Sequence, residues 1–379
     1  MDFRLTEEQE LIRANIREFC QQYLDPIAVE IDENSRHPQE VFDRLAEMGF
    51  MGMPYPQEYG GAGTDFLTYA MVVEEISRSC AGTGFTFSCH TGLGTGPIYE
   101  YGTEEQKQKY LVPLCKGQKW GAFALTEPGA GTDVNAATTV AVADGDEWVI
   151  NGTKTFISQG TFADIFIVFA RTDPAAGPKG ISAFIVTKDN PGLKVGEHFR
   201  KMGIRCSQTA EIILKDCRVP RSDMLGKEGN GLRMAMASLD NGRIGIAAQA
   251  VGILQAALDE SLKYASQRIQ FNKPIGRQQA IQWMIADMAT DLAAARHLTY
   301  HAATLKDQGL PYTKEASMAK LFASEAAMRH ASKAVQIHGG YGYMKGQKVE
   351  RLLRDAKITE IYEGTSEAQR MVIAGNVMR

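Results

Sequence analysis

The stretch Gly121-Ala122-Phe123-Ala124-Leu125-Thr126-Glu127-Pro128-Gly129-Ala130-Gly131-Thr132-Asp133 decides how this chain is read. It is a short β-rich run that opens into a glycine-rich turn with threonines on either side. From about Lys119 onward similar runs follow: Thr138-Thr139-Val140-Ala141-Val142, Trp148-Val149-Ile150, Ile165-Phe166-Ile167-Val168-Phe169 and Ile181-Ser182-Ala183-Phe184-Ile185-Val186. Gly, Asp and Pro punctuate them, as in Asp144-Gly145-Asp146 and Asn151-Gly152. No long helical pattern lies between them, so the region reads as an antiparallel sheet or barrel and not as alternating strands and helices.

On both sides the texture is helical. Leu5, Ile12, Ile16, Phe19 and Leu24 recur at helical spacing, and Asp25-Pro26 is expected to end that run. Val41-Phe42, Leu45 and Met48 predict a second helix stopped by Gly49, with a loop at Tyr59-Gly60-Gly61-Ala62-Gly63. Further helices are expected from Phe66 to about Ser79 and from Glu104 to Val112. After Gly231, three long runs rich in Ala, Leu, Met and Gln (about 231–266, 277–307 and 313–337), with a shorter one near the C-terminus, predict a four-helix bundle. The expected fold class is α+β: an N-terminal helical domain (1–118), a central antiparallel β domain (119–230) and the C-terminal bundle (231–379).

The 379 residues suffice for two or three packed units. A 44% hydrophobic and 23% charged composition is that of an ordinary globular protein, and a net charge of -4 argues against a dedicated nucleic-acid binder. No apolar run reaches the 18 residues of a membrane span. The N-terminus reads straight into a helical pattern, without signal or transit character. Six scattered cysteines without a CxxC read as reduced thiols of a cytoplasmic protein. His297 and His301 stand four apart on a helix, but no third ligand is evident and no metal site is expected. There is no GxGxxG and no Walker-type phosphate loop.

Five segments carry chemistry. In Ile361-Tyr362-Glu363-Gly364-Thr365-Ser366-Glu367 a carboxylate sits between an aromatic and a glycine. One reading is a helix N-terminus with an acidic first turn. The other is proton abstraction beside a carbonyl, the carboxylate taking the proton while a backbone N–H holds the oxygen. The turn after Leu125 offers backbone N–H groups and hydroxyls to an anion or a planar ring edge, or is a plain turn. Phe156-Ile157-Ser158 is either core or a platform for an apolar ring. Three glycines in Gln336-Ile337-His338-Gly339-Gly340-Tyr341-Gly342 exceed what a helix C-cap needs. Arg268, in Arg268-Ile269-Gln270-Phe271, is placed to bind phosphate or is simply exposed.

Taken together and in this order, these motifs resemble the acyl-CoA dehydrogenase family over essentially the whole chain, and its short-chain (butyryl-CoA) branch through Leu239-Asp240-Asn241-Gly242-Arg243-Ile244-Gly245-Ile246-Ala247. The resemblance implies FAD as cofactor, held by Phe123, Leu125, Thr126, Gly131, Thr132, Phe156, Ile157 and Ser158. Arg268, Phe271, Gln279, Gln336, Gly339 and Gly340 would reach the FAD of a neighbouring subunit, and Thr365 to Glu367 would complete the site. Thr132, Asp240, Arg243 and Gly364 would contact the acyl-CoA. Glu363 would take the α-proton while flavin N5 takes the β-hydride. Some branches place the base beside the arginine corresponding to Arg243. Here that neighbour is Gly242, which cannot serve. Phe156 and Thr132 stand where many relatives carry Trp and Ser. The family implies a homotetramer and an electron-transferring flavoprotein as partner. An enoyl-CoA reductase running the reverse reaction, and a catalytically silent flavoprotein subunit, are the competing readings.

Overall fold

The computed structural model describes residues 4–378. Thr6 and Gln9 form a capping box that starts α1 (Glu7–Phe19). Asp25-Pro26 does not end the run as expected. A π-turn (Cys20–Leu24) and a 3₁₀ turn (Asp25–Ile27) carry the chain into α2 (Ala28–Glu33). Pro26 lies at the start of that turn, where a missing N–H costs nothing. The helix expected around Val41 is α3 (Gln39–Glu47). The Asp65 carboxylate accepts the Thr68 N–H at 2.7 Å and starts α4 (Phe66–Ser79), bounded as expected.

The sequence reading missed a helical stretch here: α5 (Ala81–Ser88), a π segment (Cys89–Thr95) and α6 (Gly96–Tyr101). Its glycines hid it, yet packing requires them. A Cβ at Gly84 would stand 2.0 Å from Ser77 Oγ, and one at Gly94 would stand 2.6 Å from the Gly121 backbone. α7 (Glu104–Gln106), a π-turn and α8 (Val112–Cys115) complete the N-terminal region.

The strands are β1 (Gly121–Ala124), β2 (Val140–Asp144), β3 (Glu147–Ser158), β4 (Ile165–Arg171), β5 (Ile181–Thr187), β6 (Leu193–His198), β7 (Thr209–Pro220) and β8 (Met224–Leu225). The last three were not anticipated. β6 and β7 carry many charged residues, because both lie towards the solvated edge of the sheet. The order is β6-β7-β3-β2-β4-β5-β8, with β1 also against β4. Most pairs are antiparallel, as expected, but β1 runs parallel to β4 (Gly121 beside Ile165), so the sheet is mixed.

The C-terminal helices are α9 (Gly231–Gln267), α10 (Gln279–Asp307), α11 (Thr313–His338), α12 (Lys348–Thr359) and α13 (Ser366–Val377). Five helices stand where four were expected, because the final run is broken by the turn at 360–365. A small hairpin, β9 (Ile269–Gln270) with β10 (Lys273–Pro274), follows α9. α9 is buried along most of its length, against α4, α10, α11 and the sheet. Among the described residues no helix is long and apolar enough to cross a membrane.

Candidate active site

Glu363 lies in the break between α12 and α13, with φ 52°, and Gly364 follows with φ 94°. A left-handed non-glycine residue is uncommon and costs of order 1 kcal/mol, so the surroundings must hold it there. They do so through the carbonyls. Lys320 Nζ donates to the Gly364 carbonyl (2.7 Å), and Gln369 Nε2 donates to the same oxygen (2.9 Å) and to the Glu363 carbonyl (3.2 Å). The Thr365 hydroxyl accepts the Ala368 N–H and starts α13, so the helix-cap reading of this heptapeptide also holds. Among the described residues no acceptor engages the N–H of Glu363 or of Gly364.

The side chain of Glu363 turns inward. Its Oε2 is buried and has no hydrogen-bond partner. Burial pushes the carboxyl up to about 7, against the opposing charges of Lys320 and Arg243. The wall opposite is Gly242 on α9: a Cβ there would stand 1.9 Å from Glu363 Oε2. Gly242 therefore does more than fail as an alternative base, because its lack of a side chain makes the space that the carboxylate occupies. One turn further along α9, a Cβ at Gly245 would stand 2.2 Å from Ser88 Oγ, and the Tyr69 hydroxyl hydrogen-bonds that hydroxyl at 2.9 Å. Tyr362 stacks on Phe85 (4.6 Å between ring centroids) and donates its hydroxyl proton to Gln249.

Arg243 and Asp240 are brought beside this turn. Arg243 is buried and pairs with Asp240 (2.5 Å), while its Nε has no partner. Asp240 Oδ2 accepts from Thr313 (2.6 Å).

The glycine-rich turn forms a second group of predicted residues. Gly129 and Gly131 have nothing within 4 Å of an added Cβ, and Gly131 and Thr132 are exposed, so this backbone is open to a ligand. Phe156 has φ 56° and is 63% exposed, which places a large apolar ring on the surface of the sheet. Leu125 and Ile157 are instead buried in the core, and Phe123 packs against Phe169 (4.8 Å). These three shape the edge from beneath, and Ser158 is half-buried at the end of β3. Glu127 anchors the turn: it accepts from Lys154 (2.7 Å), from the N–H and hydroxyl of Thr138 (2.6 and 2.9 Å) and from the Thr139 N–H (3.0 Å).

A third group lies apart. Arg268, Gly339 and Gly340 line one cavity of about 530 Å³ with Tyr264, Ile337, His338 and Tyr341. Gly339 needs its positive φ of 59° to end α11, and its N–H donates to the Gln336 carbonyl. Gln336 and Gln279 are exposed nearby in sequence but do not line the cavity, and Phe271 is 86% exposed at the tip of the β9–β10 hairpin. Glu367 is exposed in the first turn of α13.

Lys320 and Gln369 were missed by sequence reasoning. The available signal was position: Lys320 sits at helical spacing among Ala316, Ala319, Ala323 and Ala327, all buried, on the inner face of α11.

Family models describe the origin of this arrangement. The N-terminal, middle and C-terminal domains of acyl-CoA dehydrogenase match residues 6–118, 122–217 and 229–378. The chain belongs to the acyl-CoA dehydrogenase family. Among its relatives, the short-chain specific acyl-CoA dehydrogenase of Clostridium acetobutylicum is 54% identical over 379 residues, covering 100% of both chains. An acryloyl-CoA reductase (NADH) of Anaerotignum propionicum is 51% identical, covering 100% of this chain and 96% of that one. A solved structure described as the electron-transferring flavoprotein of Acidaminococcus fermentans, in work on flavin-based electron bifurcation, includes a chain that superposes with a TM-score of 0.99 at 50% identity, with 100% of both chains covered. The chain is thus an oxidoreductase of this family, similar to its short-chain members.

Proposed function

We propose that this acyl-CoA dehydrogenase family member catalyses FAD-dependent α,β-dehydrogenation of a short-chain acyl-CoA thioester, with Glu363 as the base. One observation carries the reading: a carboxylate oxygen that is buried, unpartnered and held by a left-handed turn, where burial pushes the carboxyl up to about 7. A base works best when its pKa lies near the operating pH. The Glu363 Oε2 takes the thioester α-proton. The free N–H of Glu363 receives the negative charge that develops on the thioester oxygen. Arg243, with a donor to spare, and Asp240 orient the acyl-CoA, with Thr132 and Gly364.

The residues at the strand end fit a planar cofactor: an open glycine backbone, the exposed Thr132 with Thr126 and Ser158 half-buried beside it, and a phenyl ring on the surface. FAD, when bound, supplies the two-electron acceptor for the β-hydride. Phe123, Leu125, Thr126, Gly131, Thr132, Phe156, Ile157 and Ser158 would hold it in this subunit, with Thr365 and Glu367. Arg268, Phe271, Gln279, Gln336, Gly339 and Gly340 would serve the FAD of a neighbour in a homotetramer. The proposed domains are 1–118, 119–230 and 231–379, the proposed setting is the cytoplasm, and the proposed electron partner is an electron-transferring flavoprotein. The similarity to a chain in a solved structure described as an electron-transferring flavoprotein supports that partner.

The second reading is an enoyl-CoA reductase, favoured by the 51% identity to an acryloyl-CoA reductase. By microscopic reversibility the same groups serve both directions, and the potential of the electron partner decides between them. Anaerobic titration of the flavin-loaded protein with acyl-CoA and enoyl-CoA thioesters tests both. Bleaching of the flavin by butyryl-CoA is expected, with reoxidation by crotonyl-CoA. A flavin unmoved by every thioester would leave only the silent-subunit reading.

A further inference from the structure

Lys320 lies on α11, is 0% exposed, and has no carboxylate within ion-pair reach among the described residues. Its ammonium donates to the Gly364 carbonyl at 2.7 Å. An ammonium taken out of water costs several kcal/mol unless it is paired. A neutral donor would satisfy that carbonyl as well, and Gln369 Nε2 already does so at 2.9 Å. Shape and hydrogen bonding therefore account for a donor here, but not for a charge.

The charge has a use one residue away. Burial disfavours the ionised form of Glu363, and Lys320 is the first of the two cations that oppose it. The effect is mutual: burial lowers Lys320 to about 8, and among nearby charges Glu363 does most to restore it. The other groups facing this carboxyl are Arg243 with Asp240 on α9, Tyr69 on α4, Cys89 in the π segment, and Tyr362 in its own turn. Glu360 and Glu367 stand further out and act on Lys320. Arg243 is paired directly with Asp240, whereas Lys320 has no carboxylate in ion-pair contact among the described residues and is the larger of the two charges acting on Glu363.

We infer that Lys320 is a positioning residue for Glu363: anchored on the Gly364 carbonyl, it holds the left-handed turn and supplies the positive charge that lets the buried carboxyl ionise. This rests on the reading of Glu363 as the base. Lys320 touches neither the reacting atoms nor the cofactor-facing residues, and it acts through the turn and through the field.

The test compares Lys320→Gln, which loses the charge and keeps a donor, with Lys320→Met, which loses both. The rate of flavin reduction by saturating butyryl-CoA is followed against pH. In both variants the acid limb should move up by about 1 pH unit, the usual size for loss of a close opposite charge. The limiting rate at high pH should fall further in Lys320→Met than in Lys320→Gln, because only the former leaves the carbonyl one donor short. Infrared titration of the flavin-free proteins, subtracting Glu363→Gln, should show the same displacement of the carboxyl band without any turnover. Lys320→Arg, which keeps the charge, should leave the limb in place. If Lys320→Met does not fold by circular dichroism, Lys320→Gln carries the test. An unmoved limb and band in a folded, charge-free variant would overturn the inference while leaving Glu363 as base. A Glu363→Gln enzyme that still reduces its flavin at the normal rate would overturn the base itself, and the inference with it.

Discussion

Glu127 and Glu363 each lie near a lysine that water does not reach, Lys154 and Lys320, and the two carboxyls are left in opposite conditions. Glu127 has both oxygens occupied, by Lys154 and by donors from Thr138 and Thr139. Although burial raises it, the Lys154 charge and these bonds hold it down at about 2. Glu363 has an oxygen with no partner, its lysine is spent on a carbonyl, and burial carries it up to about 7. The first carboxylate fastens a strand end. The second is kept available for a proton. What separates them is the donors: Lys154, Thr138 and Thr139 occupy Glu127, whereas Lys320 gives its hydrogen bond to a carbonyl and leaves Glu363 Oε2 without one.

The two groups also pull stability in opposite directions with pH. Glu127 is depressed in the fold, so its contribution is present above the ordinary carboxylate range and is lost as pH falls through about 2. Glu363 is raised, so the fold favours its protonated form. It costs stability as pH rises from the ordinary range to about 7, and the cost is constant above that.

The comparison breaks most easily at Glu363. Glu363→Gln keeps size and removes the proton acceptor. Flavin reduction by saturating butyryl-CoA should slow by at least about 10²-fold in single turnover, with acyl-CoA binding retained. A rate within about threefold of the unsubstituted enzyme would mean that this oxygen is not the base. Moving the carboxylate to position 242 sharpens the point. A glutamine at 363 would still fill the space of a Cβ at 242, so the relocation requires Gly242→Glu with Glu363→Gly, a residue that also suits the φ of 52°. That double variant should regain part of the lost rate, whereas Gly242→Glu with Glu363→Gln should not.

At the other lysine the effect should appear in stability. Lys154→Met leaves the Glu127 carboxylate buried without its cation, a change typically costing about 3–5 kcal/mol. The melting temperature and denaturant midpoint should fall markedly while the pH profile of flavin reduction keeps its shape. A Lys154→Met protein as stable as the original would mean that Glu127 and Lys154 are not the fastening described here.

This division was only partly legible in the sequence. The helical, β and helical regions showed in periodicity and in turn residues, whereas Glu363-Gly364 read equally as an ordinary acidic helix start, and only the other motifs of the chain singled it out. The helical stretch 81–101 did not show, because some of its glycines answer to neighbours distant in the chain, such as Cys206 beside Gly82 and Gly121 beside Gly94. β6 and β7 did not show because their charged residues lie towards the edge of the sheet. Gly242 was read for what it lacks, and the carboxylate seated against it became visible only once α9 and the 360–365 turn were brought together. Lys320 showed only as a lysine within an alanine stripe, and the packing of α11 was needed to turn that spacing into a buried position.

The central claim is that the environment of Glu363 sets its ionisation near neutrality while that of Glu127 suppresses protonation. Infrared titration of the carboxyl band, taken as differences between the unsubstituted protein and Glu363→Gln or Glu127→Gln, measures this directly. The account predicts a Glu363 band that disappears with a midpoint near pH 7 and no Glu127 band at any pH above about 3. A Glu363 band that is gone by pH 5, like that of an ordinary carboxyl, would contradict it.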